Sequence, residues 1–105
     1  MINKQSIFES NYSSINKLDL QINEHFEVRF AQTYPEFTKK LVGTYNSLSF
    51  QEVKVCMFIK MSFSNRQIQD ELNLSKSSLA NLRSSIRKKM ALSRGQSLTN
   101  SILCF

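Results

Sequence analysis

Within SKSSLANLRSSIRKKM (75–90), small hydrogen-bonding residues and cations recur at helical spacing. At about 100° per residue, Ser77, Asn81, Ser84 and Lys88 share one side of a helix, with Ala80 and Ser85 on its flanks. Asparagine presents a paired donor and acceptor that match an adenine edge, and serine can serve a base or a phosphate. Small side chains also let a helix approach another surface closely. Arg83, Arg87, Lys88 and Lys89 lie toward the edges and the C-terminal end, where they suit phosphates on either side of a groove. The bland alternative is a solvated face whose cations simply favour the helix C-terminus. Leu79, Leu82, Ile86 and Met90 fall opposite, at steps of three, four and four, and form the stripe that faces a core.

Those residues must be positioned by what precedes them. Ser49 with Glu52 is a Ser-x-x-Glu capping box that opens a helix containing Val53, Val55, Cys56, Phe58 and Ile59. Ser62 to Ser64 break that helix. Ser64 with Gln67 caps the next one, 65–72, with Ile68 and Leu72 on one face. Asn73–Leu74 make a turn, and Ser75 caps the basic segment. Two short helices joined by a tight turn, the second basic, form a helix-turn-helix pattern. Leu98, Ile102, Leu103 and Phe105 predict a closing helix after Ser97. The expected core joins Val55, Ile59, Ile68, Leu72, Leu79, Ile86 and Met90.

Upstream, Phe8, Tyr12, Ile15, Leu18, Ile22, Phe26 and Phe30 make one apolar stripe, which predicts a long amphipathic helix over 6–32. It would pack on the downstream helices or on a second copy of the chain. Thr33 with Glu36 reads as another capping box around Pro35. A short second helix follows, with Tyr34, Phe37, Leu41 and Tyr45, ending near 43–46. The division expected is 1–47, a helical lead-in and candidate dimerisation segment, and 48–105, a DNA-binding domain.

Composition narrows the chemistry. The 105 residues include only two glycines and one proline, which favours helices over hairpins or phosphate-cradling loops. The +6 net charge is uneven. In 1–47, Lys4, Lys17, Arg29, Lys39 and Lys40 are cancelled by Glu9, Asp19, Glu24, Glu27 and Glu36. In 48–105, nine basic residues face Glu52, Asp70 and Glu71 alone, so the whole excess lies there and suggests a polyanionic partner. Cys56 and Cys104 lack a partner motif and read as reduced thiols. The lone His25, with Glu24 and Glu27 beside it, reads as solvated. No metal-ligand spacing, nucleophile motif or glycine-rich loop supports an enzyme, and no cofactor is expected. MINKQSIFES lacks the apolar core of a signal peptide and no run is long enough to span a membrane, so a cytoplasmic location is expected.

The stretch LSFQEVKVCMFIKMSFSNRQIQDELNLSKSSLANLRSSIRKKM (48–90) resembles the LuxR/GerE-type helix-turn-helix of bacterial transcription regulators. Leu48, Ser49, Glu52, Val55, Ser64, Asn65, Arg66, Gln67, Ile68, Leu72, Leu74, Ser75, Ser78, Leu79, Ile86, Lys89 and Met90 fall on that family's motif positions or close substitutes, without a gap. The chain is thus expected to be all-α, the long N-terminal amphipathic helix and short second helix being followed by the four-helix domain that the resemblance implies, its third helix entering the DNA major groove. Its fourth helix often serves dimer contact. The base-facing residues would be Ser77, Ala80, Asn81 and Ser84, and the phosphate-facing ones Ser64, Arg66, Arg83, Arg87, Lys88 and Lys89. Four departures matter: Ala80 stands where many members carry lysine, Ser84 where they often carry a larger or basic group, Gln69 replaces a small residue, and Ser62 replaces a common glycine.

The function expected is a sequence-specific DNA-binding regulator acting as a homodimer, either alone or as the output end of a longer protein. RNA polymerase or a sensor protein would be its further partners. The competing expectation is a protein-interaction adaptor or antagonist built on a helix-turn-helix that no longer reads DNA.

Overall fold

The computed structural model describes residues 25–105, so most of the long helix expected over 6–32 lies outside the described residues. The chain divides into two units between Thr33 and Tyr34. In the first, residues 25–33 are helical. Phe26 and Phe30 are buried, their rings tilted at 34° and 6.0 Å apart. The capping box expected from Thr33 and Glu36 does not form. Thr33 is still helical, and its hydroxyl donates to the Arg29 carbonyl one turn back, at 2.9 Å. An N-cap residue needs an extended backbone, and the helical Thr33 does not supply one.

The second unit is all-helical, with no strand among the described residues: α1 (Phe37–Thr44), α2 (Phe50–Lys60), α3 (Asn65–Leu72), α4 (Lys76–Lys89) and α5 (Leu98–Leu103). Helix α1 starts after Glu36 without a side-chain cap and buries Phe37 and Leu41. The serines that open the other four helices all act as caps, as expected at Ser49, Ser64 and Ser75. Each accepts a hydrogen bond from the backbone N–H three residues on, at Glu52, Gln67, Ser78 and Asn100. At Ser49 and Ser64 the reciprocal bond closes the box, each serine N–H donating at 2.8 Å to Glu52 or Gln67. These oxygens satisfy donors that a helix start leaves without partners.

Helix α2 is the hub, packing on α1, α4 and α5, while α3 packs on α4. It buries Val55, Cys56, Phe58 and Ile59, which is why its sequence shows no one-sided stripe. Around it close Leu41, Ile68, Leu79, Ile86, Met90, Leu98 and Ile102. Of the expected core, Leu72 is only half-buried, whereas Phe58, Leu98 and Ile102 contribute more than expected. Leu103 stays partly exposed. The last residues are held down differently: Lys60 Nζ donates to the Leu103 carbonyl at 2.8 Å, and the Phe105 ring meets Phe37 edge-on at 5.8 Å.

The helix ends carry a feature that composition hides. Ser62 takes φ 66°, while its N–H donates to the Ile59 carbonyl and that of Phe63 to the Phe58 carbonyl. The Phe58 and Phe63 rings lie 5.0 Å apart. This is a Schellman ending with its hydrophobic contact. It repeats after α4, where Ala91 takes φ 56°, its N–H bonded to Lys88 and that of Leu92 to Arg87. Asn73, φ 54°, turns the chain between α3 and α4. The chain thus places serine, asparagine and alanine at left-handed positions where glycine has no Cβ penalty. Asparagine tolerates that conformation; serine and alanine tolerate it less well. We therefore predict that Ser62→Gly and Ala91→Gly each raise stability by ~1 kcal/mol in urea unfolding of the intact chain. A loss of stability in both would show that the left-handed assignment is wrong.

Candidate nucleic-acid interface

Helix α4 runs for 14 residues from the Ser75 cap, and its length and amphipathicity set which side chains reach solvent. Ser77, Ala80, Asn81 and Ser84 are all exposed, so the structure places the four expected base-facing residues on one open face. Leu79 and Ile86 are buried behind them, and Leu82 is half-buried. Ser77 is partly engaged, its hydroxyl 3.3 Å from that of Ser75. Ser78 sits inside the cap, accepting a hydrogen bond from the Ser75 hydroxyl at 2.9 Å.

The cations divide into two groups. Lys88 is exposed, and its ammonium makes no hydrogen bond or ion pair among the described residues. Arg66, at the start of α3, is 83% exposed and lies 3.5 Å from the open Asp70 carboxylate, a pair worth little in water. The others turn inward. Arg83 is half-buried and donates to the Thr99 hydroxyl at 3.1 Å, joining α4 to α5. Burial lowers its pKa; the Cys56 thiol opposes that, and Arg87 adds to it. Arg87 donates to the carbonyls of Gln96 and Ser93 at 2.6 and 2.9 Å and fixes the α4–α5 loop. Lys89 is bound to Glu52 at 2.8 Å. Ser64, exposed, spends its hydroxyl on the α3 cap. The sequence grouped all these as phosphate-facing. The geometry gives Arg83, Arg87 and Lys89 specific partners inside the fold.

Glu52 is the residue whose second role the sequence did not reveal. Only 4% exposed, it closes the α2 capping box and also receives Lys89 and Ser85 from α4. Oε1 accepts from the Ser49 N–H and from Lys89 Nζ, each at 2.8 Å, and Oε2 accepts from the Ser85 hydroxyl at 2.6 Å. Ser85, placed by the helical wheel beside the exposed face, is therefore half-buried and belongs to the frame. The capping spacing announced Glu52 at the start of α2. Nothing local could announce partners 33 and 37 residues away.

Burial pushes the Glu52 carboxyl up, but the bonds from Lys89, Ser85 and the Ser49 N–H, with the charge of Lys89, outweigh it and hold the group at about 2. Burial likewise pushes the Cys56 thiol up to about 12, with Glu52 adding to the effect and Arg83 opposing it. Such a thiol is protonated and inert at neutral pH. Cys104 is exposed and His25 is exposed. No group of three or more His, Cys, Asp or Glu side chains converges as a metal site among the described residues, and no helix among them is long and apolar enough to cross a membrane.

Beside the open face, α3 and α4 enclose a groove of about 340 Å³ whose wall includes Ala80 and Ser84. Comparison of the chain with protein-family models, curated proteins and solved structures returns no match.

The Glu52 bonds generate a prediction with a definite sign. Because the folded pKa lies below the ordinary 4.5, the stabilisation is full above pH 4.5 and fades as pH falls toward 2. Its upper size is about 3 kcal/mol, from 1.36 kcal/mol per unit. Glu52→Gln should cost ~2–3 kcal/mol in urea unfolding at pH 7, with most of the difference from wild type gone by about pH 3. Equal differences at both pH values would contradict the charged role.

Proposed function

We propose that this chain is a sequence-specific DNA-binding transcription regulator of the LuxR/GerE type. On this reading it acts in the cytoplasm as a homodimer, sets α4 into the major groove and performs no catalysis. The observation that carries the reading is the joint arrangement of α3, the left-handed Asn73 and α4. A short capped helix and a tight turn present a second helix with Ser77, Ala80, Asn81 and Ser84 all exposed on one face. The charge excess of 48–105 supports it, since duplex phosphates supply most of the affinity in such complexes.

On this reading the cations divide their labour. Lys88 and Arg66, both exposed, suit direct phosphate contact. Arg83 and Arg87 support the field of positive charge while their donors hold α4 to α5 and the loop, and Lys89, neutralised by Glu52, holds α4 to α2. Arg83→Ala is therefore a poor probe of DNA contact, because it removes the Thr99 bond as well.

Fluorescence anisotropy with labelled duplexes tests the reading. Lys88→Ala and Arg66→Ala should weaken all duplexes alike, each lowering the salt slope by about 0.9. Asn81→Ala should relax preference at one base position by ~1–3 kcal/mol, leaving other positions unchanged. Selection from a random pool should return a palindrome if the dimer is the reading unit. No duplex binding at modest salt overturns the proposal and leaves the adaptor reading in its place.

A further inference from the structure

We propose that the groove between α3 and α4 is a nucleotide pocket, so that a free nucleotide and duplex DNA exclude one another. Its α3 wall carries Asn65 and Gln69, one turn apart, and neither side-chain amide has a hydrogen-bond partner among the described residues. Each amide offers a donor and an acceptor, the pair that matches the N6 and N7 positions of adenine. On the α4 wall Lys76 and Arg83 supply positive charge, and the exposed Ala80 methyl, with Leu79 buried beneath it, gives a small apolar surface for the edge of a base. No carboxylate lines the groove, so an entering phosphate meets no like charge. The volume, about 340 Å³, lies at the lower end for ligand sites and suits one nucleotide rather than a larger cofactor.

Preorganisation strengthens the case. The Thr99 hydroxyl holds the Arg83 guanidinium, and two loop carbonyls hold that of Arg87 one turn on. Neither guanidinium has a carboxylate partner among the described residues. Two cations fixed side by side without a counter-charge gain from an anion without first losing side-chain freedom. Gln69 is half-buried, where an unpaired amide costs more than on an open surface.

Because Ala80 and Ser84 belong both to the groove and to the exposed α4 face, an occupied groove covers part of that face. This competition rests on the DNA-binding reading; the pocket itself does not. A nucleotide unit could come from a free mononucleotide or from a nucleic-acid strand, and separate arms distinguish them.

The test is a titration of the intact ¹⁵N-labelled chain with AMP, and in parallel with adenosine and with inorganic phosphate. Saturable shifts at Gln69, Ala80, Arg83 and Ser84 are expected at millimolar AMP, with adenosine and phosphate each binding at least tenfold more weakly. Gln69→Leu should weaken AMP about fivefold, equivalent to ~1 kcal/mol for one hydrogen bond, and leave phosphate unchanged. Ala80→Leu should block the groove while its dispersed spectrum shows that the fold persists. No saturable shift with AMP, or equal shifts with phosphate alone, overturns the pocket. In the competition arm, AMP should displace a labelled duplex. AMP binding without any duplex binding keeps the pocket and removes the DNA reading; duplex binding without AMP binding does the reverse.

Discussion

One buried carboxylate ties the start of α2 to the far end of α4. Glu52 gives up nearly all its hydration, a loss that costs several kcal/mol for an isolated charge. It regains stability through a backbone N–H, a hydroxyl and an ammonium, each within 2.8 Å. Three donors converging on one carboxylate make a rigid joint, because moving α4 along its axis would break two of them together. At the other end of α4, the Asn73 turn and the Ser75 cap fix where the helix begins. Between these anchors Leu79, Ile86 and Met90 determine its rotation about its own axis. The exposed face is thus held by constraints of three kinds: electrostatic, conformational and apolar.

The same joint explains why the cations of α4 are not equivalent. Lys88 and Lys89 are neighbours in sequence but point about 100° apart on a helix. Lys89 reaches Glu52, and Lys88 reaches solvent. Arg83 and Arg87 stand one turn apart on a third side, and each links α4 to the segment that follows it. Guanidinium suits this use better than ammonium, since its planar fork can hold two carbonyls at once, as Arg87 does with Ser93 and Gln96. A charge held in this way still contributes to the long-range field of 48–105.

Legibility in the sequence followed the range of the interaction. The caps at Ser49, Ser64 and Ser75 were readable because donor and acceptor sit three residues apart. The exposed and buried sides of α4 were readable because helical periodicity is local. The same local pattern misled at Thr33 and Glu36, because Thr33 still belongs to the preceding helix and lacks the extended backbone of an N-cap. The second role of Glu52, and with it the inward placing of Ser85 and Lys89, was not readable, because sequence separation carries no geometry. The left-handed Ser62 and Ala91 were hidden for another reason: the residues that normally announce such a position are absent from both.

These anchors bear on how a face as modest as that of α4 could read a duplex on the proposed reading. Serine, alanine and asparagine extend only a few ångströms from the backbone, so the helix itself must come close to the base edges. Close approach leaves little room for a long side chain to correct a misplaced helix by changing rotamer. Discrimination then depends on how firmly α4 is held, more than on how many donors it displays. A long basic residue in place of Ala80 would relax that demand, because it could find its partner from several helix positions. Without one, the Glu52 joint and the arginine links would become part of the specificity itself, although each of them is spent on a partner within the fold. Rigidity behind the helix takes over the role that reach in front of it would otherwise fill.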